Sequence, residues 1–178
     1  MKLLSDTKLS GDAVIDLSKI VQVVETTMDG TSGALYAIFL NSLVHSLREQ
    51  PADEATPKVW GAALSQASEA LSRYTPAQPG DRTLVDALHP FIDTLSKTGD
   101  LAKAAEASRN GAEGTKGMKA SLGRTVYIGG TGFEQVPDPG AWGLSEIFLG
   151  LAGVKTSATP AAKPAPQQHG SEPEYEIV

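Results

Sequence analysis

Hydrophobic residues recur at three- and four-residue steps along most of this chain, the spacing that puts side chains on one face of a helix. Val14, Leu17, Val21 and Val24 mark a helix over residues 12–27, and Leu35, Ile38, Phe39 and Leu43 mark a second over 33–48. Pro57 stands at a first helical position ahead of Trp60, Ala63, Leu64, Ala67 and Leu71, a face that runs to Tyr74. The run Thr75-Pro76-Ala77-Gln78-Pro79-Gly80 breaks the pattern. Asp81 then serves as N-cap or first-turn acid for a helix bearing Leu84, Leu88, Phe91, Ile92 and Leu95, with a kink expected at Pro90. Asp100 is predicted to cap an alanine-rich helix reaching Leu122, and a last helix over 141–153 is expected to bury Trp142, Leu144, Ile147, Phe148 and Leu151.

No alternation is long enough to build a sheet; only Thr125 to Ile128 suggests a short extended piece, inside a Gly- and Pro-rich loop over 123–140. The fold class is therefore all-α: six amphipathic segments in an antiparallel bundle or closed ring, with glycine-bearing loops gathered at the end where a ligand would sit. Residues 155–178 are dominated by Ala, Pro, Gln and acids and read as a disordered tail. One helical domain over 12–154 follows, after a short segment over 1–11.

Composition narrows the function classes. A chain of 178 residues with net charge −6 and no block of Lys or Arg offers no broad surface for nucleic acid or an anionic membrane. The absence of cysteine removes disulfides, thiolate metal sites and cysteine nucleophiles. No apolar run suits a signal peptide or a bilayer span, so a soluble, cytoplasmic protein is expected. His45, His89 and His169 lack metal-ligand spacing, and no residue stands out as catalytic.

The chemistry that remains is local. Met28-Asp29-Gly30-Thr31-Ser32-Gly33-Ala34-Leu35-Tyr36 is a polar, glycine-flanked turn opening into a helix. It suits a phosphate seat, with Thr31 and Ser32 as contacts, because glycine allows close backbone approach and the first N–H groups of a helix attract anions. It equally suits a plain N-cap at Thr31 or Ser32. Gly111, Gly114 and Gly117 also have two readings: a stripe for close helix packing, or a flat surface for a planar ligand walled by Met118.

Four separated stretches together resemble the C-terminal nucleotide-binding domain of dihydroxyacetone (glycerone) kinases. They are Gly30-Thr31-Ser32-Gly33-Ala34-Leu35-Tyr36, Tyr74-Thr75-Pro76 through Gly80-Asp81-Arg82-Thr83-Leu84-Val85-Asp86-Ala87-Leu88, Gly111-Ala112-Glu113-Gly114-Thr115-Lys116-Gly117-Met118, and Pro137-Asp138-Pro139-Gly140-Ala141. The resemblance implies an eight-helix antiparallel barrel whose open end binds ATP with magnesium for phosphoryl transfer to dihydroxyacetone. By position it places Thr31, Ser32 and Gly33 at the nucleotide phosphates, Pro76, Leu84 and Val85 along the nucleotide, Asp138, Pro139 and Gly140 in a closing loop, and Gly117 and Met118 on the adenine side. It also implies a homodimer, or pairing with a full-length kinase.

One departure matters. The family carries a Gly-Asp-Gly-Asp-x-Gly-Thr motif whose aspartates bind the magnesium ions, whereas here Gly11-Asp12 is followed by Ala13-Val14. Its metal ligands, the family's separate ketone-binding domain and the first helix or two of the barrel are therefore expected to be absent. Two functions follow: the ATP-binding portion of a dihydroxyacetone kinase, inactive alone, or a degenerate, non-catalytic module acting through protein contacts. Asp29, where many members have glycine, sets a negative charge beside the phosphate seat.

Overall fold

The computed structural model describes residues 9–50, 54–122 and 133–154. Among them lie six α-helices and no strand, so the all-α expectation holds. The helices are α1 (Ala13–Thr27), α2 (Gly30–Arg48), α3 (Pro57–Ser72), α4 (Val85–Thr98), α5 (Leu101–Gly114) and α6 (Pro139–Leu151), with a 3-10 turn (Phe133–Gln135) ahead of α6. The expected extended piece at 125–128 and the expected tail lie outside the described residues. No helix among those described is long and apolar enough to cross a membrane.

Short polar side chains start most of these helices. Asp12 accepts from the Val14 and Ile15 amides, Thr56 from Val59, Asp100 from Lys103 and Asp138 from Ala141. Each such cap is worth about 1 kcal/mol. Gly99 ends α4 in the left-handed conformation, with φ at 66°, and hands the chain directly to the Asp100 cap.

Each helix packs on the next, and α6 also folds back onto α4. From α3 onward the neighbours run antiparallel: Gly61 faces Ser96, Gly111 faces Asp86, and Arg109 pairs with Glu146. Alanines 63, 67, 87, 104, 105, 112 and 141 are fully buried, small enough to let the helix axes approach. Phe91 of α4 stacks on Phe148 of α6 with ring centroids 3.7 Å apart. On the other flank α1 packs closely on α2 alone among the described helices, so these six form a row rather than a closed ring.

Four expectations need correction. First, α2 begins at Gly30, so Thr31 and Ser32 lie within its first turn and the N-cap is Asp29, which makes no side-chain cap bond. Second, Asp81 does not start α4; its carboxylate closes the preceding turn, accepting from the Gln78 amide at 2.8 Å and the Ser121 hydroxyl at 2.9 Å. Third, α5 stops at Gly114, where Thr115 turns its hydroxyl back to the Ala112 carbonyl. Fourth, Trp142, Ile147 and Leu151 are exposed, because α6 turns only its Ala141, Leu144, Ser145, Phe148 and Leu149 face to the core.

A pH effect arises at the start of α1. The Asp16 carboxylate accepts from the backbone amides of Ser10 and Gly11, the Ser10 hydroxyl and the Lys19 ammonium. These bonds, the Ser10 amide foremost, hold its pKa down to about 2. A depressed carboxylate contributes stability above its unfolded value and loses it as pH falls through the folded one. The Ser10–Asp16 clasp is therefore expected to persist at pH 4 and to open near pH 2. The carboxyl carbon shift of Asp16 should report a midpoint near 2, and a midpoint near 4 would contradict the clasp.

Candidate functional site

Helix α2 presents the most open N-terminus in the chain. No hydrogen bond among the described residues engages the amides of Gly30, Thr31 or Ser32, and the Asp29 side chain caps none of them. Thr31 and Ser32 are exposed, whereas Gly33 is buried. Gly33 has a packing reason to be glycine: a Cβ there would sit 2.0 Å from the Met28 carbonyl oxygen. The turn thus folds its own backbone against Gly33, while the N–H groups of Gly30, Thr31 and Ser32 and the positive end of the helix dipole are left for an anion.

A second open corner forms where the starts of α4 and α6 meet. A Cβ on Gly140 would lie 3.8 Å from Leu84 Cβ and 3.9 Å from the Leu84 amide nitrogen. Neither the Leu84 nor the Gly140 amide has a hydrogen-bond partner among the described residues. Asp138 is buried and occupied: it caps Ala141 at 2.8 Å, while its own amide donates to the Thr115 hydroxyl at 2.7 Å. Pro139 and Gly140 are exposed beside it, and Leu84 and Val85 are half-buried.

The loops behind this corner are knotted together. The Gly117 amide donates to the Glu134 carbonyl at 2.7 Å, bringing the end of α5 to the 3-10 turn. Gly117 itself has φ at 85°, and a Cβ there would meet nothing within 4 Å, as at Gly114. Of the three spaced glycines only Gly111 serves close packing, so the stripe reading holds at one position. Met118 is half-buried and Pro76 is exposed. Val85, with Thr75 and Ala77 on either side of Pro76, lines an open groove of about 400 Å³ between α3 and α4.

Two residues in this corner carry more than their sequence signal showed. Arg82 is 2% exposed and adopts φ 58°, a left-handed conformation costing about 1 kcal/mol for a residue with a side chain. Asp86, also buried, holds that turn from both sides: one oxygen accepts from the Gly80 amide at 2.6 Å, the other from Thr83 at 2.9 Å. The only hint in the sequence is an acid six residues after a glycine in an otherwise apolar helix start. No hydrogen bond among the described residues joins this corner to Gly30–Gly33, so the candidate residues fall into two groups.

The starts of α2 and α4, without a side-chain cap, carry the partial positive charge that attracts anions. The chain belongs to the DAK2 domain family, whose model matches residues 1–153. It is 43% identical over 164 residues to a dihydroxyacetone kinase of Pichia angusta, covering 85% of this chain and 27% of that protein. It is also 36% identical to the human triokinase/FMN cyclase, covering 79% of this chain and 25% of the relative. The chain thus spans about a quarter of the length of the curated relatives it matches. Among solved structures it is similar to the crystal structure of the C. freundii dihydroxyacetone kinase in its native form, with TM-score 0.61 and 28% identity over 80% of this chain and 24% of that one. The same enzyme in complex with AMP-PNP and Mg2+ gives TM-score 0.58 and 27% identity, over 80% of this chain and 23% of the other.

The described residues do not fit a magnesium site. No group of three His, Asp or Glu is placed to hold a metal ion among them. Asp12, Asp16, Asp86 and Asp138 already spend oxygens on amide donors. A hard cation needs several free oxygens in octahedral geometry.

Proposed function

We propose that this chain is the ATP-binding portion of a dihydroxyacetone kinase that does not transfer phosphate by itself. Thr31, Ser32 and Gly33 would take the phosphates on the open start of α2. Leu84 and Val85 would flank the nucleotide, with Pro76 nearby, Gly117 and Met118 on the adenine side, and Asp138, Pro139 and Gly140 closing over it. The observation that carries this reading is the pair of helix starts without a side-chain cap, α2 and α4, whose amides at residues 30–32 and at Leu84, with that of Gly140 beside them, have no hydrogen-bond partner among the described residues. The complex of a similar kinase with AMP-PNP and Mg2+ supports the ligand class.

Catalysis needs more than these residues hold. Phosphoryl transfer relies on magnesium to offset charge on the transferring group and on a held acceptor hydroxyl. Both would come from elsewhere in an assembly: carboxylates for the metal, and a site for dihydroxyacetone. A full-length kinase partner would supply them, and a homodimer would pair two copies of the nucleotide portion. The exposed Ile15 and Ile20 on α1 and Ile147 and Leu151 on α6 favour a second reading, a non-catalytic kinase-like module acting through protein contacts.

Calorimetric titration separates these. The chain is expected to bind ATP with a Kd near the millimolar range, and magnesium should add no affinity because no carboxylate cluster receives it. Asp29→Asn, which removes a negative charge beside the phosphates, should strengthen binding about threefold. No heat at several millimolar nucleotide, with or without metal, would refute the nucleotide reading and leave the contact module.

A further inference from the structure

The strongest unexplained group in the molecule is the Arg82 guanidinium. It is buried, yet it forms no ion pair within 4 Å among the described residues and uses only one of its three nitrogens. Nη2 donates to the Phe133 carbonyl at 2.7 Å and the Val136 carbonyl at 2.9 Å, while Nε and Nη1 have no hydrogen-bond partner among the described residues. Its planar face lies 5.4 Å from the centre of the Phe133 ring. A buried cation is costly, and one held by two carbonyls and a ring face persists only where the surrounding structure fixes it.

That fixing is visible. Asp86 grips the turn at Gly80 and Thr83, on either side of Arg82, and so stabilises the left-handed backbone that turns the side chain inward. Arg82 in turn grips the carbonyls on both sides of the 3-10 turn, two residues before Asp138. Thr115 and Gly117 hold the same segment from behind, through the Asp138 amide and the Glu134 carbonyl.

We propose that Arg82 is a positioning residue that clasps the 133–136 segment to the turn before α4, and thereby sets Asp138, Pro139 and Gly140 against Leu84. In its functional consequence this rests on the nucleotide reading: the clasp brings the α6 half of the corner to the α4 half before any ligand arrives. A lysine would reproduce it only in part, because its ammonium can bond a carbonyl but brings no planar guanidinium to lie over the Phe133 ring.

Amide hydrogen exchange on the full chain tests the clasp without nucleotide. In R82M the amides of Gly117 and Asp138 are expected to exchange at least about tenfold faster relative to those of α1 and α2. R82K should fall between R82M and the parent. A control, V21A, which opens a small cavity between α1 and α2, should leave those two amides unchanged relative to the rest of α4–α6. ATP affinity, measured in parallel, should fall at least about fivefold in R82M and hold in V21A. Unchanged exchange at Gly117 and Asp138, or a rise equal in all six helices, overturns the proposal. Where R82M fails to fold, R82K carries the same comparison, and unfolding of both overturns it too. If the parent binds no ATP while the two amides still respond, the clasp stands and the nucleotide reading falls.

Discussion

Gly111→Ala is expected to destabilise the protein by about 2 kcal/mol or more, although helix propensity alone predicts a gain of about 1 kcal/mol. The sign is decided by packing. Pro90 has no N–H, so the Asp86 carbonyl has no donor four residues on and points toward α5. Gly111 lies against it: a Cβ there would stand 2.1 Å from that oxygen and 3.0 Å from Pro90 Cγ. A backbone oxygen on one side and a ring on the other leave little room to yield, so α4 and α5 must separate. Thermal unfolding followed by circular dichroism should show a fall in Tm of about 5 °C or more. The same substitution at Gly114, where a Cβ meets nothing within 4 Å, should be neutral or stabilising. A stable Gly111→Ala variant would mean that α4 and α5 pack differently.

Asp86→Ala is expected to cost about 2–4 kcal/mol, since it strips the Gly80 and Thr83 amides of their acceptor in a half-buried turn and releases the strained backbone at Arg82. Asp93→Ala on the exposed face of the same helix removes only a weak Lys97 pair and should cost less than about 0.5 kcal/mol. Urea unfolding of both variants measures the difference. Equal effects would show that the Asp86 carboxylate is not what holds the turn. Asp86→Asn, which keeps one acceptor oxygen, should lie between the two.

The helices themselves were legible because their apolar spacing is regular and their caps are short polar residues at the right offset, as at Asp12 and Asp100. Their starts were less so, for reasons that are non-local. Helix α2 begins three residues early because Gly33 admits the Met28 carbonyl, a contact that spacing does not encode. Helix α4 begins late because Arg82 takes a left-handed conformation that the Asp86 carboxylate stabilises from within the helix. The burial assigned to Trp142, Ile147 and Leu151 fails because an apolar helix says nothing about which of its faces has a neighbour. Trp142 instead lies under the Arg109 guanidinium, 3.8 Å from its ring centre, on the outer side of α5 and α6.

At the candidate site the sequence marked the backbone positions and passed over the side chains that arrange them. Leu84 and Gly140 meet across 56 residues of chain, and in the same corner Arg82 grips carbonyls 51 and 54 residues on, at Phe133 and Val136. Arg82, Asp86 and Thr115 do the arranging, yet each looks like ordinary turn or helix polarity when read in one dimension. Gly33 shows the converse: its place in the phosphate motif and its need to clear Met28 are independent reasons for the same residue.

The proposed function requires the open starts of α2 and α4, with the Gly140 amide of α6, to act together on one nucleotide. Titration of isotopically labelled chain with AMP-PNP, followed by amide chemical shifts, tests it most directly. The largest shifts are expected to fall together on Thr31, Ser32, Gly33, Leu84 and Gly140, with one common Kd. Shifts confined to the groove between α3 and α4, around Ser68 and His89, or none at several millimolar ligand, would contradict it.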